Sequence, residues 1–173
     1  VDAGWYTEAE GGAFAKPCGD WEKCKKNIPD MQALVDEIHK LGMKFMVWFS
    51  VPFVGFDSEN HKRFKDRFLC DRPGVFASVL DPRFPEVRRF LINTYCNYVK
   101  KYNWDGLKLD FIDRFIINDE SSKEYDKMDT PSVNVALQLL LDEATTELKK
   151  INPEIMIEFR QSYIGPVLTQ YCN

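Results

Sequence analysis

Residues 105–113 read Asp-Gly-Leu-Lys-Leu-Asp-Phe-Ile-Asp (DGLKLDFID), and the fold turns on how this stretch is read. Its leucines suit a buried strand, yet it carries a lysine and three aspartates. Charge taken out of water costs several kcal/mol (order of magnitude) unless it is paired or used. Side chains along a strand alternate between two faces, and that alternation sorts the conflict. Leu107, Leu109 and Phe111 fall on one face, suited to packing against helices, and Lys108 and Asp110 fall on the other. Asp105 and Asp113, outside the alternating core of the stretch, read as turn or capping residues.

The same sorting applies on either side. In MKFMVWFS, 43–50, the residues Lys44, Met46, Trp48 and Ser50 oppose Phe45, Val47 and Phe49. In IMIEFR, 155–160, Met156, Glu158 and Arg160 oppose Ile155, Ile157 and Phe159. Each predicted strand has one apolar face and one that turns polar towards its carboxyl end. Between the strands, helical periodicity predicts a helix over 29–42, with Met31, Leu34, Val35, Ile38 and Leu41 in phase, a start at Pro29-Asp30 and a stop at Gly42. A second helix is predicted from Pro85, and a third from Thr130-Pro131, taken as N-cap and first turn, to about Lys150. Segments 51–80 and 114–129 read as long loops, with some helix near 57–68.

Strands alternating with helices imply βαβ units on a parallel sheet. In such sheets function gathers at the carboxyl ends of the strands, whether the sheet is doubly wound or closed into a barrel. No glycine-rich phosphate loop follows any strand, which weighs against a nucleotide-binding fold. The polar faces would gather Trp48, Ser50, Lys108, Asp110, Glu158 and Arg160, joined by Asp2 and Trp5 if VDAGWY ends an earlier strand.

Composition narrows the partners. The 173 residues are 45% hydrophobic and 14% aromatic, enough for a core, with a net charge of −4 that offers no basic field to nucleic acid or to a membrane surface. No apolar run approaches the ~20 residues of a membrane-spanning helix. The two histidines have no ligand spacing, so no metal site is expected, and the five cysteines include no CxxC. Cys18 and Cys24 are near enough in sequence to pair; otherwise reduced thiols are expected, which lean towards a cytoplasmic compartment. The chain opens mid-pattern at Val1, without an initiator Met, as a piece of a longer protein would.

Carboxylates, a lysine, an arginine and indoles around one pocket suit a carbohydrate. Charged groups bond to hydroxyls, and an aromatic face covers the C–H face of a sugar ring. Glycoside hydrolysis with retention uses two carboxyl groups about 5–5.5 Å apart, one of them a nucleophile. A lysine beside Asp110 favours its charged form. Two other functions are compatible with the same residues: a Schiff-base aldolase using Lys108, and a carbohydrate-binding barrel without turnover.

VDAGWY, HKLGMKFMVWFSVP, VLDPRFPEVRRFL, DGLKLDFID and IEFRQS resemble, in order, the motifs of the melibiase-type α-galactosidases, glycoside hydrolase family 36. The resemblance implies a (β/α)8 TIM barrel, of which residues 1–173 would be a single segment holding about strands two to five, truncated at both ends. It implies a retaining cleavage of α-galactosides, or of a related α-glycoside, without a cofactor. Asp110 takes the position of the nucleophile, Lys108 and Asp2 those of residues that hold sugar hydroxyls, and Trp48 that of a wall of the sugar pocket. The acid/base would lie beyond Asn173, with Glu158 the sole inward carboxylate to offer in its place. Ala3, Leu109, Ser50-Val51-Pro52 and Arg160-Gln161 depart from the family pattern. Half a barrel would have open edges, so inactivity in isolation and association with another copy, or with the remainder of the barrel, are expected.

Overall fold

The computed structural model describes residues 1–6, 14–22, 26–160 and 165–172. Its central layer is a parallel sheet of β1 (Met46–Ser50), β5 (Gly106–Asp110) and β6 (Met156–Phe159), in that spatial order. Val1 extends the sheet on the far side of β1: its amino nitrogen donates to Met46 O at 2.6 Å, and its carbonyl accepts from Trp48 N at 3.0 Å. Those two bonds straddle Val47, as a parallel ladder requires. Spatial order therefore follows chain order from Val1 through β6, with none of the reversal that marks a doubly wound sheet. The described strands form part of a sheet and not a closed barrel.

The helices form where the periodicity places them. α1 (Met31–Lys40) begins with the Asp30 carboxylate accepting from Ala33 N at 3.0 Å and ends before Gly42, whose φ of +73° suits a residue without a side chain. α3 (Pro85–Tyr102) has proline in its first turn, where the missing N–H costs no helical bond. α4 (Val133–Ile151) starts two residues later than the Thr130-Pro131 pair suggested. Ser132 is the N-cap, its hydroxyl accepting from Val135 N at 3.3 Å, and Thr130 instead accepts from Ser132 N. α3 and α4 pack against each other, and each has an apolar stripe buried in the core: Val87, Leu91, Tyr95 and Val99 on one, with Tyr95 against Phe49 of β1, and Ala136, Leu140, Ala144 and Leu148 on the other.

Segment 51–80 corrects the expectation of a long loop. It holds a small antiparallel sheet of β2 (Phe53–Gly55), β4 (Ala77–Leu80) and β3 (Phe68–Arg72), in that order, with α2 (Glu59–Arg63) between β2 and β3. The strands are three to five residues long, and β3 carries a register shift at Phe68/Cys70, so no extended alternation betrays them. The helix expected near 57–68 is present as one short element. Segment 114–129 is irregular, apart from 3₁₀ turns, as expected.

Two buried devices lock these layers. Asp105, read as a turn residue, sits below the sheet: its carboxylate accepts from Phe45 N at 2.7 Å and from His39 Nε2 at 2.7 Å, and lies 3.1 Å from Lys44 Nζ. Burial raises its pKa, but the Phe45 N–H, His39 and Lys44 outweigh that and hold it below the ordinary carboxylate value. Arg83 and Asp81, both almost fully buried, form a two-pronged pair with Nη2–Oδ2 at 2.7 Å, and Arg83 also donates to Ser122 O at 2.9 Å. This pair ties the start of α3 to segment 114–129.

The expected Cys18–Cys24 pairing involves Cys24, which lies outside the described residues. Cys18, Cys70, Cys96 and Cys172 are free thiols, and burial pushes the Cys18 thiol up to about 12. Among the described residues no helix is long and apolar enough to cross a membrane, and no three His, Cys, Asp or Glu side chains gather as metal ligands.

Candidate active site

The register of the parallel sheet stacks the inward residues in rows. Met46, Gly106 and Met156 pair across the lowest row. A Cβ on Gly106 would lie 2.8 Å from Met156 O and 2.9 Å from Met46 Cε, so the glycine admits a methionine on each side. Above it, Trp48, Lys108 and Glu158 pair across the three strands, and Asp2, next after Val1, continues that row. Ser50 and Asp110 form the top row, with Arg160 directly after β6.

Asp110 is 6% exposed. Its Oδ2 accepts from the Trp48 indole N–H at 3.0 Å, its Oδ1 accepts from Phe111 N at 2.7 Å, and Arg160 Nε stands 3.3 Å from Oδ1. Lys108 points to the other side of the site, where Nζ donates to Asp2 Oδ2 at 2.9 Å. The bond to Asp2 raises the Lys108 pKa above its ordinary value, against a smaller opposing effect of burial. For Asp2, burial acts upward, but the Ala3 N–H and Lys108 together hold it below the usual value. The lysine therefore holds Asp2, whereas the donors on the Asp110 carboxylate include an indole and a main-chain N–H.

The remaining expected residues divide. Trp48 lies inward and buried, its ring stacked on Tyr6 at 5.8 Å between centroids. Glu158 is on the inward face and exposed. Trp5, expected in the pocket, lies in the aromatic core instead: it is 1% exposed, donates its indole N–H to Trp48 O at 2.7 Å, and packs on Trp21, Phe49 and Trp104. Trp5 thus sets the position of Trp48 from behind. Ser50 is buried in register with Asp110, so the top row is small there. Gln161 lies outside the described residues.

Phe111 corrects the sequence reading. Strict alternation sends it to the helices with Leu109, but β5 ends at Asp110 and Phe111 takes a left-handed conformation, φ +63° and ψ +21°. The turn brings its ring over the carboxyl ends of the strands, stacked on Phe14 at 5.2 Å and 5.4 Å from Phe53. Its backbone N–H faces Asp110 for the same reason. Nothing in the residue type announces this, since phenylalanine rarely adopts positive φ.

A parallel α/β sheet whose carboxyl ends present a buried, bonded aspartate beside an Asp–Lys pair has its polar groups where α/β proteins place their sites. A family model described as Melibiase matches residues 1–165, and the chain belongs to the melibiase family. The curated alpha-galactosidase Mel36A of Lactobacillus acidophilus is 29% identical over 75 residues, 43% of this chain and 10% of that protein. Among solved structures, the GH36 alpha-galactosidase AgaA from Geobacillus stearothermophilus matches with a TM-score of 0.70 at 22% identity, covering 91% of this chain and 22% of that one. A variant of the same enzyme in complex with stachyose gives 0.71. TtGalA, an alpha-galactosidase from Thermus thermophilus solved with p-nitrophenyl alpha-D-galactopyranoside, gives 0.63 at 18% identity, covering 90% of this chain and 30% of that one. The chain thus spans about a fifth to a third of the length of these solved structures.

Proposed function

We propose that the protein carrying this chain is a retaining glycoside hydrolase acting on terminal α-galactosides or a related α-glycoside. The observation that carries the reading is the Asp110 carboxylate, buried at the carboxyl end of β5 and held by Trp48 and Phe111, beside the Lys108–Asp2 pair, in a chain of the melibiase family. Two relatives solved with stachyose and with p-nitrophenyl alpha-D-galactopyranoside support the choice of sugar.

In this mechanism Asp110 attacks the anomeric carbon as the aglycone oxygen leaves with a proton from an acid. A glycosyl-enzyme ester forms on Asp110, and water then cleaves it with the same acid acting as base. Lys108 and Asp2 hold sugar hydroxyls: the ammonium has hydrogens to spare, and Asp2, 65% exposed at its side chain, has room to accept. Trp48 walls the pocket and orients Asp110. The second carboxyl group comes from beyond Asn173, so turnover belongs to the complete protein rather than to residues 1–173 alone. No cofactor takes part.

A Schiff-base role for Lys108 is disfavoured by its environment. That chemistry needs a neutral amine, and the bond to Asp2 favours the ammonium. Kinetics of the complete protein on p-nitrophenyl α-galactoside test the proposal. Asp110→Asn is expected to lower kcat by roughly a thousandfold or more. An undiminished rate would remove Asp110 from the mechanism.

A further inference from the structure

Arg160 was expected to touch the sugar, but its surroundings point elsewhere. Its Nε lies 3.3 Å from Asp110 Oδ1, its Nη2 donates to Asp113 Oδ1 at 3.3 Å, and its guanidinium carbon sits 4.5 Å above the Phe111 ring. The head group is thus held between two carboxylates over an aromatic face, the planar setting that suits arginine and not lysine. Phe111 contributes twice through one strained turn. Its N–H donates to Oδ1, the oxygen Arg160 faces, and its ring supports the guanidinium. A non-glycine residue in the left-handed region costs on the order of 1–3 kcal/mol and persists only where its surroundings hold it there.

We propose that Arg160 is a positioning residue for the Asp110 nucleophile and not a ligand of the sugar. This inference rests on the reading of Asp110 above. Arg160 sets its positive charge against Oδ1, while the Trp48 indole N–H holds Oδ2 by a hydrogen bond. Its charge has its largest effect in the second step. When water attacks the anomeric carbon, the bond from that carbon to the Asp110 oxygen breaks and its electron pair returns to the carboxylate. A guanidinium on the same carboxylate stabilises the returning charge.

The groups facing Asp110 are Trp48 from β1, Lys108 from β5, Glu158 and Arg160 from β6, Asp113 from the turn after β5, and Asp2 across the site. Among these, Arg160 is the cation in ion-pair contact with its carboxylate, at 3.3 Å.

The test uses the complete protein with p-nitrophenyl α-galactoside, whose good leaving group makes the second step limiting. Arg160→Gln should lower kcat by about 10- to 100-fold, as misplacement of a reacting group does, with KM unchanged or lower and a burst of nitrophenol. Arg160→Lys, which keeps the charge but loses the fork, should fall between the two. Asp113→Asn, which frees one end of the guanidinium without touching Asp110, should lower kcat in the same direction by a smaller factor. Thermal melting checks that each variant folds, and Asp113→Asn decides the matter if the Arg160 variants do not. A raised KM at unchanged kcat would make Arg160 a sugar ligand and overturn the inference, as would unchanged kinetics. No turnover by the wild-type protein would overturn the functional reading itself, and this inference with it.

Discussion

The contrast between Lys108 and Asp110 shows how two neighbours on one strand face acquire different work. Lys108 reaches Asp2 across the site, and both stay open to solvent; Asp110 is buried under Phe111 and Trp48. Removing the lysine should therefore affect sugar binding before chemistry. Lys108→Met is expected to raise KM for p-nitrophenyl α-galactoside by about 10-fold or more, the scale of about 1.4 kcal/mol for a charge-assisted hydrogen bond. A fall in kcat with KM unchanged would contradict this. Both side chains were legible in DGLKLDFID because strand alternation puts them on one face. Their partners were not, because Asp2 meets Lys108 across 106 positions. Phe111 was misread because the alternation rule holds only while the strand lasts. Trp5 was misread because a tryptophan beside a polar residue looks the same whether it walls a pocket or supports one.

At the scale of elements, the sequence announced what is periodic. α1, α3 and α4 have caps or breakers and an apolar stripe, and each lies within a few residues of its expected place. The antiparallel sheet of β2, β3 and β4 has no such signature, its strands being short and one of them bulged. Asp105 was legible as a residue outside the strand, but not as the knot joining α1, β1 and β5. The Asp105→Asn substitution should destabilise the fold by roughly 1.5–3 kcal/mol, the range for hydrogen bonds to a charged group. The pH dependence follows from the sign of the shift. The folded-state pKa lies below the ordinary 3.8, so the contribution is complete above about pH 5 and fades as pH falls through the folded value. Denaturant melts of wild type and variant should therefore differ at neutral pH and converge in acid. A constant gap down to pH 2 would contradict the assignment.

At the scale of the whole molecule, the parallel sheet runs from Val1 through β1, β5 and β6 in chain order and opens its inward rows at the carboxyl ends. That direction of winding is what a barrel needs, and it brings Asp2, Lys108 and Asp110, the residues of the proposed mechanism, to one end of the sheet. The central claim, that Asp110 carries the sugar between the two steps, is tested most directly by trapping the intermediate. The complete protein is incubated with a 5-fluoro-α-galactosyl fluoride, digested, and its labelled peptide sequenced by mass spectrometry. The account predicts one galactosyl label, on Asp110, displaced slowly by water. A label on any other residue, or turnover of the reagent with inversion and no labelled peptide, would contradict it.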